Sequence, residues 1–310
     1  MTATITKIQK MFFALGTVNS VTLYGEAHEQ AFCEVKSRVL QLNDMLNAYD
    51  ERSEVSAINR NAGVKSVRVS PETFALIEDS VRFSVLSKGL FDITTRPLSL
   101  IWKNAIKNKS LPDYIEVMRA ALLSSYRDII LNRDDMSVML RRRGQELDLG
   151  AIAKGYAADE AKRILTEHGV SEAIINLGGT VINLGEMRKI GLQKPFEETG
   201  TPFAYLAVGE RAVVSSGIYE QGFEQNGKVY HHIINPKTGF PSETDVVSVT
   251  LVGKSAEQLD ALATTVIMMN SEDSALLLKL CKVEAVLVTR DGRIICTEGL
   301  RNNLEMKGAD

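Results

Sequence analysis

The chain has 310 residues, 45% hydrophobic and 24% charged, an ordinary globular mix long enough for one large domain or two smaller ones sharing a cleft. Its 36 Lys and Arg stand against 39 Asp and Glu, for a net charge of −3, which offers no broad positive field for nucleic acid or an anionic membrane. No stretch approaches the roughly 18–20 apolar residues that cross a bilayer. Cys33, Cys281 and Cys296 have neither C-x-x-C nor metal-ligand spacing, so a cytoplasmic, reducing compartment is expected.

In chain order, Lys7 and Lys10 precede Met11-Phe12-Phe13-Ala14-Leu15-Gly16, an apolar run too short for a signal-peptide core. Phe32, Val35, Val39, Leu42 and Leu46 recur at steps of three and four, which predicts an amphipathic helix over about 26–48. Ser70-Pro71-Glu72 reads as an N-cap with proline at the first helical position. Phe74, Ile77, Val81 and Val85 then supply a buried stripe and Gly89 a stop. Arg141-Arg142-Arg143, before Gly144-Gln145, reads as a solvated hairpin tip. A third helix is expected from about Gly155 to His168, stopped by Gly169.

The texture then turns to strands: Ala173–Leu177, Thr180–Leu184, Lys189–Gln193, Phe203–Val208, Ala212–Ser215, Lys228–Ile233 and the β-branched Asp245–Val252. Ser255 through Gln258 forms a capping box for a helix to about Met269. A shorter helix follows from Ser271, then a hairpin of Ala285–Thr289 and Arg293–Thr297 around Asp291-Gly292. No Pro/Gly/Ser-rich linker interrupts the chain. A helix-rich first half and a strand-rich second half predict an α+β fold, with mixed or antiparallel sheets and packed helices in a single domain over 1–310.

Several segments carry residue types suited to chemistry. Between Asp148 and Ala161, a turn punctuated by Gly150 leads Lys154 into an Ala-rich helix. Backbone N–H groups at a helix start, beside an ammonium, suit phosphate oxygens; a solvated lysine at a helix start is the alternative. Gly155 is followed by Tyr156, so this is not a P-loop, and no G-x-G-x-x-G occurs. Asp260 and Thr264 lie four apart, on the shoulder of a stripe formed by Leu259, Leu262, Ala263 and Val266. A carboxylate and a hydroxyl are hard oxygen donors of the kind Mg²⁺ prefers, and they are equally a common structural pair.

Tyr230 through Gly239 carries His231 and His232 along a strand into an Asn235-Pro236-Lys237-Thr238-Gly239 turn. Successive strand residues face opposite sides, so only one histidine points toward any cleft, where it can take a proton from a nucleophile; a half-buried strand histidine is the alternative. Phe91-Asp92-Ile93-Thr94 either sets a carboxylate against a ligand or turns the chain. Gly178-Gly179 permits close backbone approach or a tight turn. Val214-Ser215-Ser216-Gly217 lacks the pattern of a serine-hydrolase nucleophile.

Together these segments resemble the ApbE family, the FAD:protein FMN transferases. The resemblance runs in order through Leu15-Gly16-Thr17, Tyr49 to Asn59, Leu90-Phe91-Asp92 with Pro97-Leu98 and Trp102, and Asp148 to Gly155. It continues through Asn176 to Gly179, Ser215 to Gly217, His231 to Gly239 and Asp260 to Thr264. It implies a flavin cleft between two subdomains, with Leu15, Tyr49, Leu90, Phe91, Asp92, Asp148, Lys154 and Ile234 touching FAD. It implies Mg²⁺ held by Asp260, Thr264 and the backbone carbonyl of Ala151. The reaction implied is transfer of FMN from FAD to a Thr or Ser hydroxyl of an acceptor flavoprotein, with AMP leaving and His232 as candidate base.

Asn235 stands where many members have Asp, and Leu15 where Met is common. Two alternatives share the same residues: hydrolysis of FAD to FMN and AMP, and an FAD-binding carrier without turnover. Tyr49 leans toward transfer, while Asp260, Thr264 and His232 argue against a mere carrier. The lipoprotein signal frequent in the family is not found in this sequence. That points to a cytoplasmic form acting on a cytoplasmic acceptor, with no nucleic-acid partner.

Overall fold

The computed structural model describes residues 7–25 and 28–308. The chain opens with β1 (Lys7–Ala14), β2 (Thr17–Tyr24), α1 (Glu29–Leu46), α2 (Glu54–Arg60), β3 (Val67–Arg68) and α3 (Pro71–Leu86). Next come α4 (Arg96–Asn108), α5 (Tyr114–Ala121), β4 (Ile129–Asn132), β5 (Ser137–Leu140), α6 (Ala153–Glu167), β6 (Ala173–Leu177) and β7 (Thr180–Leu184). Then follow β8 (Arg188–Gln193), β9 (Pro202–Val208), β10 (Arg211–Gly217), β11 (Gly222–Gln225), β12 (Lys228–His231) and β13 (Val246–Gly253). The last elements are α7 (Ala256–Ile267), α8 (Ser271–Cys281), β14 (Glu284–Thr289), β15 (Ile294–Cys296) and β16 (Leu304–Met306). The described residues form two compact units. The first takes the chain up to Asn43, Ile152–Gly217 and the part from Asp245 onward; the second takes Asp44–Ala151 and Ile218–Thr244.

The first unit is built on an eight-stranded sheet in the order β1-β2-β6-β7-β10-β13-β14-β15. Every neighbouring pair in it is antiparallel. Along β13 the seven residues from Val246 to Val252 are all buried. A three-stranded sheet, β16-β9-β8, packs on the large sheet through Leu192, Leu206 and Val208 against Val213, Val252 and Val286. Helices α6 and α7 pack on β6, β7, β10 and β13. The five apolar residues predicted to face inward from α1 are buried. That helix begins at Glu29, and residues 26 and 27 of its expected span lie outside the described residues. Cys33 is exposed on it.

The β1–β2 hairpin adds a pair of strands to a first half that is otherwise helix-rich. Its two-residue loop, Leu15-Gly16, has φ of +53° and +72°. Tight hairpins want Asn, Asp or Gly in the first place, so Leu15 gives no hairpin signal; its N–H is held there by Asn43 Oδ1 at 3.0 Å. Gly178-Gly179 forms the matching loop between β6 and β7, with φ of +59° and +93°. A Cβ on Gly178 would stand 2.5 Å from Thr17 Cγ2, so the tight turn and the close approach are both real.

The second unit holds α2 to α5, a three-stranded sheet β3-β5-β4 and the β11–β12 hairpin. Leu98, Trp102, Ala105, Val117, Ala120, Phe223 and Ile234 form a core there, and Trp102 Nε1–H donates to the Gly239 carbonyl at 2.8 Å. On α3 the buried stripe departs from expectation: Val85 is 60% exposed while Ser80 and Ser84 are buried. Their hydroxyls donate back to the Leu76 and Ser80 carbonyls at 2.7 and 2.9 Å, so small polar residues fill the inward face at no unpaired cost. The Arg141-Arg142-Arg143 run is not a hairpin tip. It follows β5, and Arg142 pairs at 2.9 Å with the buried carboxylate of Asp128, which Arg141 also approaches. Among the described residues no helix is long and apolar enough to cross a membrane.

Candidate functional site

Lys154 is the second residue of α6, and its ammonium is paired with a carboxylate of α7. Asp260, in the second turn of α7, is 4% exposed. Its Oδ2 accepts the Gly155 N–H at 2.9 Å, and the Lys154 ammonium lies 3.5 Å from the same oxygen. The anion at this helix start is therefore a side chain of the protein itself, where the helix dipole and N–H groups favour negative charge. Gly155 is required for the close approach, because a Cβ there would sit 2.3 Å from the Ala256 carbonyl oxygen. Thr264 is half-buried one turn beyond Asp260 on α7. Both contacts of the Asp260 carboxylate fall on Oδ2, so Oδ1 remains for a further ligand.

In the second unit, Tyr49 is 53% exposed and carries two cations near its ring. The Arg96 guanidinium lies 4.9 Å and the Lys103 ammonium 4.6 Å from the centroid. Burial of the phenol, then the charge of the Asp148 carboxylate that it hydrogen-bonds, holds its pKa above the usual tyrosine value. Asp148 Oδ1 also accepts the Gly150 N–H at 2.8 Å, which shapes the turn containing Ala151. Arg96 and Lys103 carry no motif in the sequence and were not legible as part of this cluster.

The two histidines separate cleanly. Strand β12 ends at His231, not at Ile233 as expected. His231 is 1% exposed; its Nε2–H donates to the Ser242 carbonyl at 3.0 Å while Nδ1 accepts the Ile233 N–H at 3.3 Å. Both ring nitrogens serve the fold, and the neutral tautomer is set by them. His232 is half-buried, with Nδ1–H donating to the Gln221 carbonyl at 3.2 Å. That bond places the proton of the neutral ring on Nδ1.

Against this geometry the comparisons with known proteins are decisive. A model of the ApbE family matches residues 15–287. The chain is 35% identical over 280 residues to the FAD:protein FMN transferase of Klebsiella pneumoniae (strain 342), covering 89% of this chain and 87% of that protein. It is 31% identical over 330 residues to the FAD:protein FMN transferase of Treponema pallidum (strain Nichols), covering 99% and 91%.

The chain belongs to the ApbE family. As the names of these relatives state, it is a transferase. The fold agrees: the crystal structure of the ApbE protein from Thermotoga maritima superposes with a TM-score of 0.87 at 28% identity, covering 97% of this chain and 100% of that one. Not every ApbE motif residue offers a free side chain here. Phe91 is buried edge-on against Phe83, with centroids 6.2 Å apart. Asp92 is buried, its Oδ1 taken by the Thr94 N–H and hydroxyl at 2.8 and 2.6 Å and its Oδ2 by the Tyr126 N–H at 2.8 Å. Of the two readings for this segment, its side chain follows the chain turn, and burial raises its pKa. Ile234 belongs to the core of the second unit. Leu15 and Leu90 are half-buried.

Proposed function

We propose that this enzyme transfers the FMN part of FAD to a Thr or Ser hydroxyl of a target flavoprotein, using Mg²⁺ and releasing AMP. The reading is carried by the α6–α7 junction, where a buried carboxylate, an ammonium and a helix N-terminus converge. The charge of a pyrophosphate repels an incoming nucleophile, and such a junction holds the groups that offset it.

The donor set suits Mg²⁺. Asp260 and Thr264, with the Ala151 carbonyl that the family resemblance adds, are hard oxygen ligands too few to fill an octahedron. Positions therefore remain for water and phosphate oxygens, as Mg²⁺ prefers. Among the described residues no three His, Cys, Asp or Glu side chains cluster as a metal site, so a self-sufficient protein cage is not the model. Bound by these donors, Mg²⁺ supplies charge neutralisation on the pyrophosphate.

Lys154 turns from Asp260 to a phosphate oxygen, a charge-assisted contact. His232, oriented through its Nδ1–H, takes the acceptor hydroxyl proton on Nε2. The hydroxyl oxygen bonds to the FMN phosphorus as the bond from that phosphorus to the bridging oxygen breaks, and AMP departs with that oxygen. Tyr49, kept as a neutral phenol, presents a half-open ring to FAD, and Leu15 and Leu90 add apolar contact. Asp148 orients Tyr49, while Phe91, Asp92 and Ile234 contribute through backbone and local shape rather than free side chains.

The test is incubation of the purified protein with FAD, MgCl₂ and cell lysate, followed by intact-protein mass spectrometry and AMP measurement. An acceptor gaining one FMN with an equal yield of AMP is the expected result. Free FMN and AMP without any adduct would make the enzyme an FAD pyrophosphatase, and unchanged bound FAD would make it a carrier.

A further inference from the structure

Helices α6 and α7 cap each other. Asp260 of α7 accepts the Gly155 N–H of α6, as described above. In return Asp159 of α6 accepts the Ala256 N–H on Oδ1 at 2.9 Å, and on Oδ2 the Glu257 N–H at 3.1 Å and the Ser255 hydroxyl at 2.9 Å. Ser255 Oγ then accepts the Gln258 N–H at 3.2 Å, so three successive N–H groups at the start of α7 are covered. Gly155 and Asp159 are one turn apart on α6; Ala256 and Asp260 are one turn apart on α7. The two carboxylates thus close a square whose other corners are helix N-termini.

The physical need is plain. Two helix starts brought this close place two partial positive charges together, and each is offset by a carboxylate from the other helix. Asp260 can stand beside Lys154 only if the first turn of α7 is seated, and Asp159 is what seats it.

We propose that Asp159 is a positioning residue of the transfer reaction: it fixes the first turn of α7 and thereby the placement of Asp260 and Thr264 relative to Lys154. The proposal rests on the metal-binding role given to Asp260 above. Both oxygens of Asp159 are engaged by the start of α7. It lies outside the segments that carry the family resemblance.

The experiment titrates Mn²⁺, a hard-ligand substitute for Mg²⁺, into FAD-saturated protein without acceptor, followed by electron paramagnetic resonance. Asp159→Ala is expected to weaken Mn²⁺ binding by about 10–100-fold, the usual scale for an outer partner of a metal ligand. Asp159→Asn, which keeps one acceptor oxygen for Ala256, should weaken it less and remains informative if the alanine variant fails to fold. At saturating Mg²⁺, kcat in both folded variants should stay within about threefold of wild type, the effect falling on the metal half-saturation constant. Ser70→Ala, which removes the N-cap of α3 in the other unit, lowers stability without changing Mn²⁺ affinity, and a merely structural Asp159 would behave the same way. Unchanged Mn²⁺ affinity in folded Asp159→Asn and Asp159→Ala, with Asp260→Asn losing the ion, overturns the positioning role alone. Retained Mn²⁺ binding in Asp260→Asn overturns the metal assignment and this proposal with it.

Discussion

The α6–α7 junction and the His231–Gly239 segment handle reactive side chains in opposite ways. At the junction, Lys154, Asp159 and Asp260 stand on helices; backbone N–H groups at two helix starts hold the two carboxylates, and Lys154 pairs with Asp260. In the histidine segment, His231 ends a four-residue strand and meets the Ser242 carbonyl and the Ile233 N–H, while His232, just beyond it, meets the Gln221 carbonyl. Charges that must face one another at fixed separation gain from helix termini, whose dipoles and unpaired donors favour them. A proton acceptor needs only its tautomer chosen, and one carbonyl suffices for that.

The sharpest way to break this contrast is His232→Ala. Loss of a positioned base should slow transfer by about 10²–10⁴-fold, with FAD affinity retained. Loss of FAD binding instead would make His232 a ligand contact and move the base elsewhere. Lys154→Ala comes next: FAD binding measured by flavin fluorescence should weaken by roughly 1.5–3 kcal/mol, the scale of a charge-assisted hydrogen bond. The same variant should bind Mn²⁺ more tightly before FAD is added, since an ammonium 3.5 Å from Asp260 opposes a second cation there. If neither affinity moved, the junction would not be the phosphate site.

His231→Ala tests the other histidine. It leaves the Ser242 carbonyl and Ile233 N–H without their ring partners in a buried place, at a cost of about 1–3 kcal/mol in urea unfolding. Transfer per folded molecule should stay close to wild type, and a rate loss matching that of His232→Ala would reverse the assignment.

The smallest effect concerns Asp92, whose burial raises its carboxyl pKa above the usual aspartate value. A folded pKa above the unfolded one means the contribution is full below the unfolded value and is lost as pH rises through the folded one. The stability advantage of wild type over Asp92→Asn should therefore shrink as pH rises above the ordinary carboxylate range. An advantage that grew with pH would show that the ionised carboxylate, held by Thr94 and Tyr126, is the stabilising form.

Much of the strand content of the first unit after α6 was legible, because alternation and β-branched runs such as Val246–Val252 report burial directly. The β1–β2 hairpin was not, since its turn uses Leu15 at positive φ and is held by Asn43, far away in sequence. On α3 the three-to-four spacing was right, but its inward face holds Ser80 and Ser84, whose hydroxyls pair within the helix and leave no apolar signature.

The sequence by itself determined the family and the α+β class, because these are carried by contiguous segments whose chemistry and period are local. From the residues alone the histidine pair stayed open, with His232 singled out by the family resemblance, and Lys154 lay between phosphate and solvent. Tertiary structure set the surroundings of each, through the carbonyls of Ser242 and Gln221 in one place and the carboxylate of Asp260, 106 positions from Lys154, in the other. The reason is physical: a titratable group takes its role from the donors, acceptors and charges within a few ångströms of it. Those neighbours come from chain segments that only folding brings together.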